Sequence, residues 1–148
     1  MKYGITKLAD LVFSTTLHDK LEASSSLKGK VLSVCCHPGF SSTDMTDGLG
    51  QFANALFGME PSQGCLSQVR AAVDPAVESG EYVGPNTSCY GVQHALGPLL
   101  MGGMTSTPEL YGYPMLGATR TDYSRDKAVG LALWAKAEEA TGAKFTIA

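Results

Sequence analysis

Clusters of basic residues are missing from this chain. Its 148 residues carry 11 Lys and Arg against 14 Asp and Glu, a formal charge of −3. A nucleic-acid surface needs Lys and Arg gathered on one face, so that class of partner is not expected. Long apolar runs are missing too. The most apolar stretch, Leu96 to Met104, is broken by Gly97, Pro98, Gly102 and Gly103, and it is too short to cross a bilayer. Lys7 and Asp10 interrupt the apolar positions near the amino terminus, so no secretory signal peptide is expected. Paired cysteines are also lacking. The four are Cys35, Cys36, Cys65 and Cys89, with no C-x-x-C spacing. A zinc site wants such spacing, so no metal is expected, and the thiols read as small buried apolar groups. These absences point to the cytoplasm or another reducing intracellular compartment.

What is present suits a globular α/β chain. Hydrophobic residues make up 44% and charged residues 17%, enough to bury one core. Tyr3 to Leu21 reads as a helix, with Ile5, Leu8, Leu11, Val12 and Leu21 near helical spacing and no proline. A Ser24-Ser25-Ser26 turn follows. Val31 to Cys36 is a short apolar run stopped by Pro38-Gly39, the pattern of a strand buried on both faces of a parallel sheet. Residues 40–50 read as loop and Gln51 to Phe57 as a weak helix. Pro61 opens a helix that runs to Val73 and stops at Asp74-Pro75. Gly80 to Pro85 reads as a strand. Residues 86–123, rich in glycine and broken by Pro98, Pro108 and Pro114, read as a long loop or lid insertion. A final helix spans Asp126 to Thr141, capped by Ser124 and ended by Gly142.

Two residues stand out chemically. Tyr3 and Lys7 are four residues apart, so on a helix they share a face. An ordinary tyrosine has a pKa near ~10, and a nearby cation favours the phenolate. A phenol so placed can pass a proton to or from a substrate oxygen. The other candidates have plainer readings. His37 is expected to make a hydrogen bond at a strand end, His18 and His94 to be isolated, and Trp134 to anchor the core.

The order of these motifs carries more than any one of them. Tyr3-x-x-x-Lys7-Leu8-Ala9 comes first. It is followed by the apolar strand and then by His37-Pro38-Gly39-x-x-x-Thr43. Pro61-x-x-Gly64, Asp74-Pro75 and Gly80-x-Tyr82-x-Gly84-Pro85 come next, and Leu133-Trp134 with Glu138 and Gly142 closes the series. The series resembles the carboxyl-terminal half of short-chain dehydrogenases/reductases, in the branch of retinol dehydrogenases and protochlorophyllide reductases. The resemblance covers nearly all of 1–148 except residues 86–123. It implies the carboxyl-terminal portion of a Rossmann-like, doubly wound parallel sheet, incomplete in this chain. It also implies an NAD(P)-dependent oxidoreductase that moves a hydride to or from an alcohol or carbonyl substrate, expected to be lipophilic, with NADP or NAD as cofactor. Tyr3 would be the acid/base. Lys7 would bind the ribose hydroxyls and favour the phenolate. Pro38, Gly39 and Thr43 would lie beside the cofactor at the carboxyl end of the strand.

In that family the glycine-rich phosphate loop, the Asn-Ala-Gly motif and the active-site serine precede the tyrosine. The chain is therefore expected to be a fragment of the active enzyme and inactive alone. Gly48-Leu-Gly50-Gln-Phe-Ala53 matches a dinucleotide fingerprint loosely, but it does not follow a strand. An alternative class remains open: a non-catalytic, truncated paralogue that binds a partner or forms a homodimer through the Tyr3–Leu21 helix.

Overall fold

The computed structural model describes residues 2–39, 41, 59–85, 114–118 and 120–146. The expected helix at Gln51 to Phe57 lies outside them, as do Thr43, Cys89 and His94. The elements are α1 (Lys2–Ala23), β1 (Cys35–Cys36), α2 (Pro61–Gly64), α3 (Leu66–Val73), β2 (Tyr82–Pro85), β3 (Pro114–Met115), a 3-10 turn (Asp122–Arg125) and α4 (Lys127–Thr141). The strands form one sheet in the order β1-β2-β3. The chain divides into two compact units. The first holds residues 1–35, 75–82 and 119–148, and the second holds 36–74 and 83–118.

The first unit is built on α1 and α4. No proline interrupts α1, and its hydroxyl side chains fold back onto the helix: Thr15 donates to Leu11 O at 3.0 Å and Thr16 to Val12 O at 2.8 Å. Back-bonding of this kind satisfies a hydroxyl without breaking the helical ladder. Leu11, Val12, Thr16 and Leu21 are buried. On α4, Gly130 and Trp134 are the buried positions. Gly130 has a packing reason, because a Cβ there would overlap Thr16 Oγ1 on α1. One turn on, the Trp134 ring stacks on Phe13, with centroids 5.0 Å apart and planes within 6°. Phe145 tilts against the other side at 5.8 Å, and the Lys20 ammonium lies 4.8 Å from the indole centroid. The indole N–H donates to Glu138 Oε1 at 3.0 Å, so the polar end of this core anchor is satisfied.

The cap of α4 differs from expectation. Asp126, not Ser124, takes the amino-terminal amides: its Oδ1 accepts from Ala128 N at 2.8 Å and Val129 N at 3.3 Å. Ser124 is buried, and its hydroxyl donates to Thr121 O at 2.7 Å within the preceding 3-10 turn. At the other end Gly142, with φ 68°, stops the helix in the left-handed conformation glycine tolerates.

The strand expected over Val31 to Cys36 is shorter than its apolar pattern suggests. Only Cys35 and Cys36 are extended as β1, both half-buried, while Val31 and Leu32 are 44% and 52% exposed. The reason is a side chain. The Ser33 amide donates to Ser79 Oγ at 3.1 Å, and the Val31 amide turns back to Leu27 O at 3.3 Å. The amides of Val31 and Ser33 are thus withdrawn from the ladder, although the Ser33 carbonyl still accepts from Gly80 N at 2.7 Å. Regular pairing follows, where Cys35 N donates to Glu81 O at 3.1 Å and His37 N to Val83 O at 2.9 Å. Both partners advance together, so β1 and β2 run in the same direction.

The second unit contains β3, which lies within the segment read as a loop. It pairs with β2 antiparallel, Gly84 opposite Met115 and Pro85 opposite Pro114, so the sheet is mixed rather than wholly parallel. An antiparallel edge strand is a common addition to a parallel sheet. Arg70 on α3 donates to Pro114 O and pairs with Asp74 at 2.8 Å. The single helix expected over 61–73 is divided at Cys65. Gly64, a weak helix former, is buried there, against Ser41 and near the Pro38 carbonyl.

Candidate functional site

Tyr3 and Lys7 both lie on α1 with their side chains on one face, one helical turn apart. The Lys7 ammonium is 5.9 Å from the centre of the Tyr3 ring, within the range of a cation–π contact. Tyr3 is 61% exposed, so its ring is accessible to a substrate. Thr6, between them, donates its hydroxyl to Tyr3 O at 2.7 Å.

Attention to the Tyr-x-x-x-Lys spacing alone misses a third member of this face. Asp10 Oδ2 lies 3.3 Å from Lys7 Nζ, and both side chains are well exposed. Spacings of three and four residues put Tyr3, Lys7 and Asp10 in one stripe along the helix, and that signal was present in the sequence.

Pro38 and Gly39 follow β1 and belong to the second unit, whereas Tyr3 and Lys7 belong to the first. Pro38 is exposed. Gly39 has φ 71°, a conformation that suits a backbone turning sharply after a strand. The Gly39 amide donates to His37 Nδ1 at 3.3 Å. The other side of the His37 ring lies against Gly84 of β2, where any Cβ would overlap Nε2. His37 therefore shapes the strand end through packing and hydrogen bonding. Thr43, the remaining expected cofactor contact, lies outside the described residues.

A polar cluster ties α1 to the turn before β2. His18 Nδ1 is 2.9 Å from Ser79 Oγ, and Ser79 Oγ also accepts from Ser33 N at 3.1 Å. Ser33 Oγ donates to Ser14 O at 2.8 Å. The local sequence gives no sign of this cluster, because His18 and Ser79 are 61 residues apart. The nearby Gly80 amide is itself bonded to Ser33 O at 2.7 Å. The cluster serves to fasten the turn.

Two side chains near β1 have displaced proton affinities. Burial pushes the Cys36 thiol above its ordinary range. Burial and then the Arg125 charge push Arg120 down, opposed by Cys35. Arg120 donates to Gly80 O at 3.0 Å. The cysteines are less uniformly buried than expected: Cys35 and Cys36 are half-buried and Cys65 is exposed. Among the described residues no cluster of His, Cys, Asp or Glu is placed to hold a metal ion. Among the same residues no helix is long and apolar enough to cross a membrane. Comparison with family models, with curated proteins and with solved structures gives no match to this chain.

Proposed function

We propose that this chain supplies the Tyr-Lys pair of an NAD(P)-dependent oxidoreductase of the short-chain dehydrogenase/reductase type, acting on a lipophilic alcohol or carbonyl compound. The observation that carries the reading is the Tyr3–Lys7 pair itself: a phenol and an ammonium on one helix face, 5.9 Å from ring centre to nitrogen, open to solvent. The ordered motifs that surround it in the sequence add to that support.

A nicotinamide dinucleotide, when bound, donates or accepts the hydride. The chemistry of the available groups fits such a ligand. The Lys7 ammonium offers N–H donors to a ribose diol, and its side chain is exposed, so it is accessible to one. Gly39, with positive φ, takes the backbone form that glycine tolerates. Tyr3 holds the proton at the substrate oxygen and gives or takes it as the carbonyl and alcohol interconvert. Lys7 binds the ribose and places its positive charge beside the phenol.

The test is made in the enzyme that carries this chain, with NADPH and NADH and a panel of lipophilic aldehydes and alcohols, followed by nicotinamide absorbance. Tyr3→Phe is expected to abolish turnover while leaving dinucleotide affinity close to that of the parent. Near-normal turnover in this variant refutes the assignment of Tyr3.

A further inference from the structure

We infer that Asp10 is a positioning residue that acts through Lys7: its carboxylate holds the ammonium in the free protein, and dinucleotide binding exchanges that carboxylate for the ribose hydroxyls. The inference rests on the reading of Lys7 as a ribose-binding group and goes beyond it by naming what competes with the cofactor.

The geometry is a chain of three groups on one face of α1. The Lys7 ammonium sits between the Tyr3 ring, 5.9 Å away, and Asp10 Oδ2, 3.3 Å away. A 3.3 Å contact uses one N–H of the ammonium on the carboxylate. Both partners are mostly exposed, at 60% and 64% of their side-chain areas, so solvent screens the pair and its contribution is small. That weakness suits an exchangeable restraint. A buried pair would resist opening, because breaking it leaves an unpaired charge, whereas an exposed one opens at low cost. The carboxylate limits the directions the long lysine side chain explores. The same contact has to loosen when a ribose diol takes the ammonium's hydrogen bonds. Asp10 therefore favours the free state of Lys7 and opposes the bound one.

A thermodynamic cycle on dinucleotide affinity tests this. NADPH is titrated into the enzyme that carries this chain and into its Asp10→Asn, Lys7→Gln and double variants, at low and high salt. Asn is nearly isosteric with Asp and the site is exposed, so folding is expected to survive. Loss of the competing carboxylate is expected to tighten binding by about two- to fivefold at low salt, the range of a solvent-exposed ion pair. The gain shrinks at high salt. A carboxylate that merely repels the ligand's phosphates improves affinity whether or not Lys7 is present. One that acts through Lys7 loses its effect in the Lys7→Gln background. Asp19→Asn, on the same helix, controls for the change in net charge and is expected to alter affinity less than Asp10→Asn. Equal affinity of the parent and Asp10→Asn overturns the inference and leaves the Tyr-Lys reading standing. A gain that persists without Lys7 overturns it as well. Absence of NADPH and NADH binding in the parent overturns the dinucleotide reading, and the inference with it.

Discussion

Replacing Gly130 with alanine adds one methyl group where α4 packs on Thr16 of α1, and two opposing effects follow. Alanine is favoured over glycine inside a helix by about 0.8–1.0 kcal/mol. Against this, the new Cβ overlaps Thr16 Oγ1, and overpacking a tight contact costs about 1–3 kcal/mol. Thr16 cannot easily yield, because it is 8% exposed and its hydroxyl is bonded to Val12 O at 2.8 Å. The overlap is expected to win, with a net loss of about 1 kcal/mol. In a Thr16→Ala background the offending oxygen is gone. The nearest remaining atom is the Cβ of residue 16, 3.5 Å away, an ordinary contact. There the same Gly130→Ala change is expected to stabilise by about 0.8–1.0 kcal/mol. The sign of a single substitution thus reverses with its neighbour, a coupling of about 2 kcal/mol. Urea unfolding followed by tryptophan fluorescence measures it. Trp134 is the sole tryptophan and stacks on Phe13 of α1, so the signal reports this helix pair. If Gly130→Ala stabilises both backgrounds alike, Gly130 does not pack tightly against Thr16.

Other expectations follow from the same packing and electrostatics. Asp126→Ala removes the acceptor for two amides of α4 and should cost about 1 kcal/mol in urea unfolding. A loss no larger than that of an exposed Asp122→Ala control would show that the cap is not formed. Phe13→Ala removes the ring stacked on Trp134. It should cost about 1–3 kcal/mol, less than for a fully buried ring because Phe13 is 42% exposed, and should shift Trp134 emission to the red. Unchanged emission would argue against the stack. Cys36 bears on pH dependence. Burial raises its thiol above the unfolded value, so the folded state holds its proton longer. The associated stability is fully present below the ordinary thiol range and is lost as pH climbs through that range to the folded value. Cys36→Ala should therefore flatten the fall of the urea midpoint with alkaline pH, and an unaltered slope would contradict the shift.

The helices were the most readable part of this sequence because their signals are local. Apolar spacing and the absence of proline marked α1, and Gly142 marked the end of α4 to the residue. The misreadings have non-local causes. The apolar run from Val31 looks like a buried strand, but its ladder is cut by a hydroxyl 46 residues away. Ser124 and Asp126 are both good caps in isolation. The choice between them depends on Ser124 turning its hydroxyl onto Thr121 O. Strand β3 begins with a proline and lies in a glycine-rich stretch, and its identity comes from its pairing with Gly84 and Pro85. The same contrast holds at the candidate site. The Tyr3–Lys7 pairing follows from helical spacing, and Asp10 was open to the same reasoning. The fastening of His18 to Ser79 was not, because chain topology alone brings them together.

The hydroxyl of Ser79 also occupies a backbone amide just before β1. By occupying the Ser33 amide it removes a hydrogen-bond donor from a segment, Val-Leu-Ser-Val-Cys-Cys, whose β-branched, uncharged composition favours stacking with copies of itself. Native sheets blunt such edges with charges, prolines or bulges. Here the Ser79 hydroxyl takes the Ser33 amide and the Leu27 carbonyl takes that of Val31, next to two exposed apolar residues, Val31 and Leu32. A chain lacking that oxygen would present a longer adhesive strip to its neighbours, and fibril formation on ageing would be the cost.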